Sequence, residues 1–198
     1  MRSSLGWGGA LAALALLAAC RTLPVAAPAG PPWALRRTQL QERAHFELKG
    51  RVAVATGTQG FNARLRWSQE GAQAQVALEG PLGAGGVHID ASGGDLDILM
   101  PDGAHLTSDA ARAELRARLG FDAPLSSLRY WILGVPDPAL PAEETLDPAQ
   151  QRLRTLAQDG WQIDYAGYTA VGGEWLPARL TLARAGVRVK LLVDDWQS

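Results

Sequence analysis

From Phe46 onward, apolar and polar side chains alternate with a period of two. Phe46, Leu48, Gly50, Val52 and Val54 fall on one face of an extended segment and Glu47, Lys49 and Arg51 on the other, the pattern of a strand buried on one side only. The same alternation sets Phe61, Ala63, Leu65 and Trp67 against Asn62, Arg64 and Arg66, then Ala74, Val76 and Leu78 against Gln73, Gln75 and Glu79. It continues in Val87, Ile89 and Ala91, and in Leu96, Ile98 and Met100, before a Pro101-Asp102-Gly103 turn leads to a short strand near His105. Towards the C-terminus, Leu153 to Gln158, Trp161 to Tyr165, Leu176 to Leu182 and Val187 to Val193 alternate in the same way. Asp159-Gly160 is suited to a type I′ hairpin, and Ala185-Gly186 makes the last turn before a strand that runs to Trp196.

Three segments break the period. Trp33 to His45, behind a Pro-Pro lead-in and free of internal glycine, predicts a helix. Ser108 is placed to cap a second, carrying Ala111, Leu115 and Leu119 before Gly120; Pro124 opens a third, carrying Leu125, Leu128, Trp131 and Ile132 before Gly134. The stretch from Val135 to Gln150 reads as a proline-rich connection. Many strands with no strand–helix–strand alternation predict a mainly β (α+β) domain built on a curling antiparallel sheet with one apolar face. Three amphipathic helices are too few for a separate layer, so an incomplete barrel with a helical lid over its mouth is expected. The helices either fill its interior or leave a cavity.

Composition narrows the partners. Nineteen basic and twenty acidic side chains give a net charge of −1, which provides no field for nucleic acid. The single cysteine, Cys20, closes an apolar N-terminal run in the tetrapeptide Leu17-Ala18-Ala19-Cys20. One charge at Arg2, leucines through the middle and small residues before the cysteine have the layout of an export signal, and the tetrapeptide resembles a bacterial lipobox. Residues 1–19 are therefore expected to be a lipoprotein signal. Cys20 would become the first mature residue, bearing S-diacylglycerol and N-acyl groups. Residues 20–32, rich in proline and alanine, are expected to be a tether spanning on the order of 35 Å at about 3.1 Å per residue; residues 33–198 would be the folded domain. Arg21, where an aspartate would favour inner-membrane retention in the sorting system that this precursor resembles, favours an outer-membrane address.

Catalytic patterns are missing. His45, His88 and His105 lie on different elements without metal-ligand spacing, and no nucleophile elbow is present. Gly80 to Gly86 is glycine-rich but lacks the lysine of a phosphate loop and precedes a strand. Asp95, Asp97 and Asp102 lack the pattern of a calcium loop. An enzyme is not expected, nor a metal or cofactor beyond the lipid on Cys20. Leu82, between Pro81 and Gly83, has few side chains nearby to fold against and is expected to be exposed.

Several segments, taken in this order behind a lipobox, resemble the LolB family of outer-membrane lipoprotein receptors across nearly the whole mature chain. They are Phe46-Glu47-Leu48-Lys49-Gly50-Arg51-Val52-Ala53-Val54, Ala63-Arg64-Leu65-Arg66-Trp67-Ser68-Gln69, Gly80-Pro81-Leu82-Gly83 and Leu125-Ser126-Ser127-Leu128-Arg129-Tyr130-Trp131-Ile132-Leu133-Gly134, followed by Gln158 to Tyr165, Leu176 to Leu180 and Val187 to Trp196. The resemblance implies an incomplete barrel with a helical lid and an apolar cavity. It implies a monomer, anchored in the outer membrane and facing the periplasm, that takes acylated lipoproteins from the periplasmic carrier LolA and delivers them to outer-membrane phospholipid. In that family a protruding loop bears a functionally important leucine, which carries over to Leu82 within Pro81-Leu82-Gly83. With such a cavity, Leu65, Trp67, Val76, Ile89, Leu128 and Trp131 are the expected lining residues. The competing expectation is a scaffolding envelope lipoprotein whose curved sheet is packed solid and takes no acyl ligand.

Overall fold

The computed structural model describes residues 31–80 and 86–197. Its strands form one antiparallel sheet of 11, preceded by helix α1 (Trp33–Gln41) and interrupted by α2 (Ser108–Leu119) and α3 (Leu125–Leu133). The strands before the interruption are β1 (His45–Thr56), β2 (Gln59–Glu70), β3 (Gln73–Glu79), β4 (Val87–Ser92), β5 (Asp95–Leu99) and β6 (His105–Thr107). Those after it are β7 (Ala142–Asp147), β8 (Arg152–Gln158), β9 (Trp161–Val171), β10 (Glu174–Arg184) and β11 (Val187–Gln197). Their spatial order is β6-β5-β4-β3-β2-β1-β11-β10-β9-β8-β7, so the first and last strands pair at the centre and each half of the chain meanders outward. The two edges, β6 and β7, do not pair. The chain between them carries α2 and α3, and in passing from one edge to the other it lays both helices over the apolar face of an open, curved sheet.

That face is the one the alternation picks out. Phe46, Leu48, Leu65, Trp67, Val76, Ile89, Leu96, Ile98, Leu153, Leu156, Ile163, Leu180 and Leu182 are all buried. Among the described residues no helix is long and apolar enough to cross a membrane.

Two irregularities keep the pattern in phase. Lys49 pairs with Asp195 and Gly50 with Val193, leaving Asp194 as an extra residue in β11. This bulge moves Trp196 onto the face shared by Leu191 and Val193. There its ring packs edge-on to Phe46, with centroids 6.0 Å apart, and its Nε1–H donates to the Pro177 carbonyl at 3.0 Å. The displaced Asp194 pairs with Arg51 on the outside. In β10 the register slips on both sides of Arg179, next to Pro177, which is where an interior strand tolerates a residue without an N–H.

The structure differs from the sequence pattern in three places. α1 ends at Gln41 because β1 already begins at His45. Ser108 does not cap α2; Thr107, the last residue of β6, holds the N-cap position and makes no side-chain cap bond. The proline-rich connection contains strand β7. Its inward residues include Glu144, whose carboxylate accepts from Trp33 Nε1 at 2.8 Å and Arg37 Nη1 at 2.6 Å. An inward charge on an edge strand blunts edge-to-edge pairing, and it also removes the apolar alternation by which the strand would be seen.

Gly50 faces inward at the bulge, where a Cβ would run into the Leu192 carbonyl oxygen and lie 3.2 Å from Val193 Cα. Gly50→Ala is expected to lower stability by about 1–3 kcal/mol as the two central strands are pushed apart. Urea unfolding followed by tryptophan fluorescence measures this, and an unchanged midpoint would mean that the bulge yields freely.

Candidate functional site: an apolar cavity beneath the helices

Beneath α2 and α3 the sheet forms the floor of a partly open cavity of about 110 Å³. Its floor is made by inward positions of β1 to β4, among them Val52, Leu65, Trp67, Val76 and Ile89, continued by Leu191, Leu182 and Trp161 on the other half of the sheet. Its roof is Leu115 and Leu119 of α2, Phe121 and Pro124 of the connecting turn, and Leu125, Leu128 and Ile132 of α3. Every lining residue is apolar or aromatic. A larger hollow of about 610 Å³ lies on the outer face of the central strands, but Arg51, Arg64, Arg179 and Lys190 line it, and an alkyl chain would gain nothing there.

The space persists because α3 is hung from one side of the sheet. Gln158, at the end of β8, accepts from Trp131 Nε1 at 2.7 Å and from the Asp137 N–H at 2.9 Å. Its amide donates to the carbonyls of Asp137 and Leu140 at 2.9 and 3.0 Å. Asp137 in turn accepts from Ser127 Oγ at 2.7 Å, and Tyr165 donates its hydroxyl to the Trp131 carbonyl at 2.9 Å. Burial holds the Tyr165 hydroxyl well above the ordinary tyrosine pKa, so it remains a donor. At the other end of the barrel, Arg129 Nη1 donates to the Gly71 carbonyl at 2.8 Å. The Gln158 and Tyr165 bonds fix the height of α3 over β8 and β9, and Arg129 fixes its opposite end against the β2–β3 turn. α2 is secured by Thr56 Oγ1 donating to the Leu119 carbonyl at 3.1 Å and ends at Gly120, whose φ of 78° suits glycine.

Of the expected lining residues, Leu65, Trp67, Val76, Ile89 and Leu128 stand together on the cavity wall. Trp131 is not on that wall: it is fully buried beside it, its indole bonded to Gln158 and its ring 6.3 Å from Trp161. A tryptophan on an apolar helical stripe reads the same whether it packs or lines a cavity, and only the glutamine distant in sequence separates the two. Cys20, Pro81, Leu82 and Gly83 lie outside the described residues. His45, His88 and His105 are exposed, and among the described residues no group of three or more potential metal ligands converges. Sequence reasoning missed Phe121 and Trp161 as wall residues and Gln158 as the clamp. Phe121 follows a helix-ending glycine, and Trp161 sits on a strand face that reads simply as core.

The wall and the clamp should respond differently to substitution. Leu128→Glu is expected to abolish saturable binding of a fluorescent fatty-acid probe while thermal unfolding stays cooperative, since Leu128 is only half-buried. Gln158→Leu strands several buried polar groups, each worth about 1–3 kcal/mol, and is expected to lower the melting temperature sharply. Equal loss of folding in both variants, read by circular dichroism, would mean that the space is ordinary packed core.

The family model described as outer membrane lipoprotein LolB matches residues 44–196. The outer-membrane lipoprotein LolB of Nitrosococcus oceani is 34% identical over 190 residues, covering 94% of each chain. That of Pseudomonas aeruginosa is 33% identical over 165 residues, 83% of this chain and 80% of its own. Among solved structures, a LolA superfamily protein from Nitrosomonas europaea superposes with a TM-score of 0.55 at 11% identity, covering 85% of this chain and 94% of that one. A DUF1329 family protein from Desulfovibrio piger gives 0.52 at 8% identity, covering 83% and 90%. The two structures share a fold with this chain, an open antiparallel sheet with helices over it, whereas the family match and the curated relatives extend over most of the sequence: the chain belongs to the LolB family of outer-membrane lipoproteins.

Proposed function

We propose that this protein is an outer-membrane-anchored receptor that accepts acylated lipoproteins from the periplasmic carrier LolA and passes them into the outer membrane. The carrying observation is the wholly apolar cavity under a hydrogen-bonded helical roof, where a scaffolding protein would have packed side chains. Acyl chains expose many methylenes at about 0.8 kcal/mol each, so a lipoprotein crossing water needs an apolar sleeve. At about 110 Å³ the cavity is smaller than the roughly 300–1,000 Å³ of small-molecule pockets. Cargo must therefore part the roof from the floor over β1 to β4, where apolar packing dominates and the polar ties are few (Arg129 to the Gly71 carbonyl, Thr56 to the Leu119 carbonyl), while the Gln158 side holds.

The sequence holds no nucleotide-binding motif, so transfer runs downhill in free energy from carrier to receptor to bilayer. The receptor's grip is then intermediate, and its role is that of a binding protein without a catalytic step. Titrating a fluorescent fatty-acid probe onto the protein tests the cavity directly; absence of saturable, carrier-competed binding would favour the scaffolding alternative.

Cys20 serves in this reading as the acyl acceptor. Cys20→Ala is expected to eliminate labelling by radioactive palmitate, because no other thiol exists in the chain; retained label would refute the assignment. Capture from the carrier should persist in that variant, since the cavity belongs to the folded domain.

Leu82 is assigned to the membrane step. Burying one leucine in the interfacial region gains roughly 1.5–3 kcal/mol, enough to orient the domain during release without holding it there. β3 ends at Glu79 and β4 begins at Val87, both at the same end of the sheet as the β8–β9 turn. Leu82→Glu is expected to take cargo from the carrier yet fail to deliver it to liposomes, because a carboxylate resists burial at that depth, whereas Leu82→Ile should deliver normally. Lost capture with intact delivery of preloaded cargo would move Leu82 to the carrier interface.

A further inference from the structure

Among the described residues, the shielded indole N–H groups have hydrogen-bond partners with a single exception. Trp33 donates to Glu144 Oε2 at 2.8 Å, Trp67 to Gln69 Oε1 at 3.0 Å, Trp131 to Gln158 Oε1 at 2.7 Å and Trp196 to the Pro177 carbonyl at 3.0 Å. Trp175 is exposed and reaches water. Trp161 is 2% exposed, and its Nε1–H is buried and bonded to nothing. Buried donors without acceptors are rare in folded proteins and need an explanation.

Trp161 begins β9 directly after the Asp159-Gly160 turn, and its ring forms part of the cavity wall. Phe121 packs edge-on to it with centroids 5.5 Å apart, and Trp131 lies 6.3 Å away with its own N–H already engaged. The Arg184 guanidinium, 5.8 Å from the ring centroid, offers donors and no acceptor. The other side chains lining the cavity are apolar apart from Trp67, whose N–H Gln69 occupies. No side chain of the wall can accept the Trp161 proton, and an acceptor arriving with a ligand would satisfy it. A plain hydrocarbon brings none. An ester- or amide-linked acyl chain brings one carbonyl oxygen, placed at its head.

We infer that the Trp161 indole N–H donates to the carbonyl at the head of a bound acyl chain, so that the cavity selects carbonyl-headed chains and takes them in one direction. The head then lies at the β8–β9 end beside Phe121, and the tail runs across to the wall of Trp67, Val76 and Ile89, where no free donor competes for it. This rests on the acyl-receptor reading and adds to it the chemical class and the orientation of the ligand.

The test uses the full chain produced without its own acyl groups, and two probes, methyl octanoate and octane, each displacing an environment-sensitive dye from the cavity. In the wild type, methyl octanoate should move the Trp161 indole proton resonance downfield while octane leaves it in place. Trp161→Phe should weaken methyl octanoate by roughly 5-fold, the worth of one neutral hydrogen bond, with octane little changed. Equal weakening of both probes, or an indole resonance indifferent to the ester, would overturn the inference and leave Trp161 as packing. The wild-type resonance gives this answer even if the variant does not fold. Failure of both probes to displace the dye from the wild type would instead overturn the acyl-receptor reading, and this inference with it.

Discussion

The hydrogen bonds converging on Gln158 set the spacing between helix and sheet on which the cavity depends. Apolar attraction alone would draw α3 down until its side chains interdigitated with the concave face, because close packing is what buried apolar surfaces adopt when nothing holds them apart. A glutamine that accepts from Trp131 and Asp137 and donates to two carbonyls has a fixed geometry, and its bonds are worth keeping because each group left unpaired in the interior is costly. The helix is held by a dense set of buried polar bonds along β8 and β9, and over β1 to β4 mainly by apolar side chains, with Arg129 bonded to the Gly71 and Arg43 carbonyls at one end. Rigidity on one side and compliance on the other follow from that asymmetry.

An unfilled apolar space carries a cost. Apolar side chains that border such a space lack partner atoms on one side and forfeit contacts that a solid core would make, so a packed version of the same sheet would be more stable. The central strand pair offsets part of it: the Asp194 bulge turns Trp196 inward onto Phe46 and ties it to Pro177, packing the lower interior tightly while the space beneath the roof stays open.

Much of the fold was legible because a sheet with one wet face writes its register in period two. Phe46 to Val54 and Phe61 to Trp67 could be placed on the correct face from residue type alone, and Leu65, Trp67, Val76, Ile89 and Leu128 fell on the cavity wall for the same reason. β7 was illegible because its inward Glu144 answers to Trp33 and Arg37, more than a hundred positions away in sequence. Trp131 stands beside the wall for a related reason: the apolar stripe of α3 is wide enough to face both the sheet and the cavity, and the bond to Gln158 turns this ring to the sheet. Periodicity reports which face is dry. It carries no information on which dry positions touch another side chain and which border an empty space, because that depends on polar bonds made across the fold.

The same division explains how a protein whose sequence holds no nucleotide-binding motif can serve as a waypoint. A receptor that packed its cargo as closely as a core packs its own side chains would hold it too well to release it to a bilayer, and one with no cavity would never take it from a carrier. A small cavity that opens only when the apolar side chains of roof and floor part lies between these limits. Each increment of cargo buried is offset by the separation of roof from floor, so net affinity grows slowly with the length of chain inserted. The bilayer imposes no such exchange, since lipid tails accept an acyl chain without giving up packed neighbours. The free energy that favours release is therefore the return of roof to floor when the chain leaves, and the polar clamp limits how closely the two can pack and so leaves a way in.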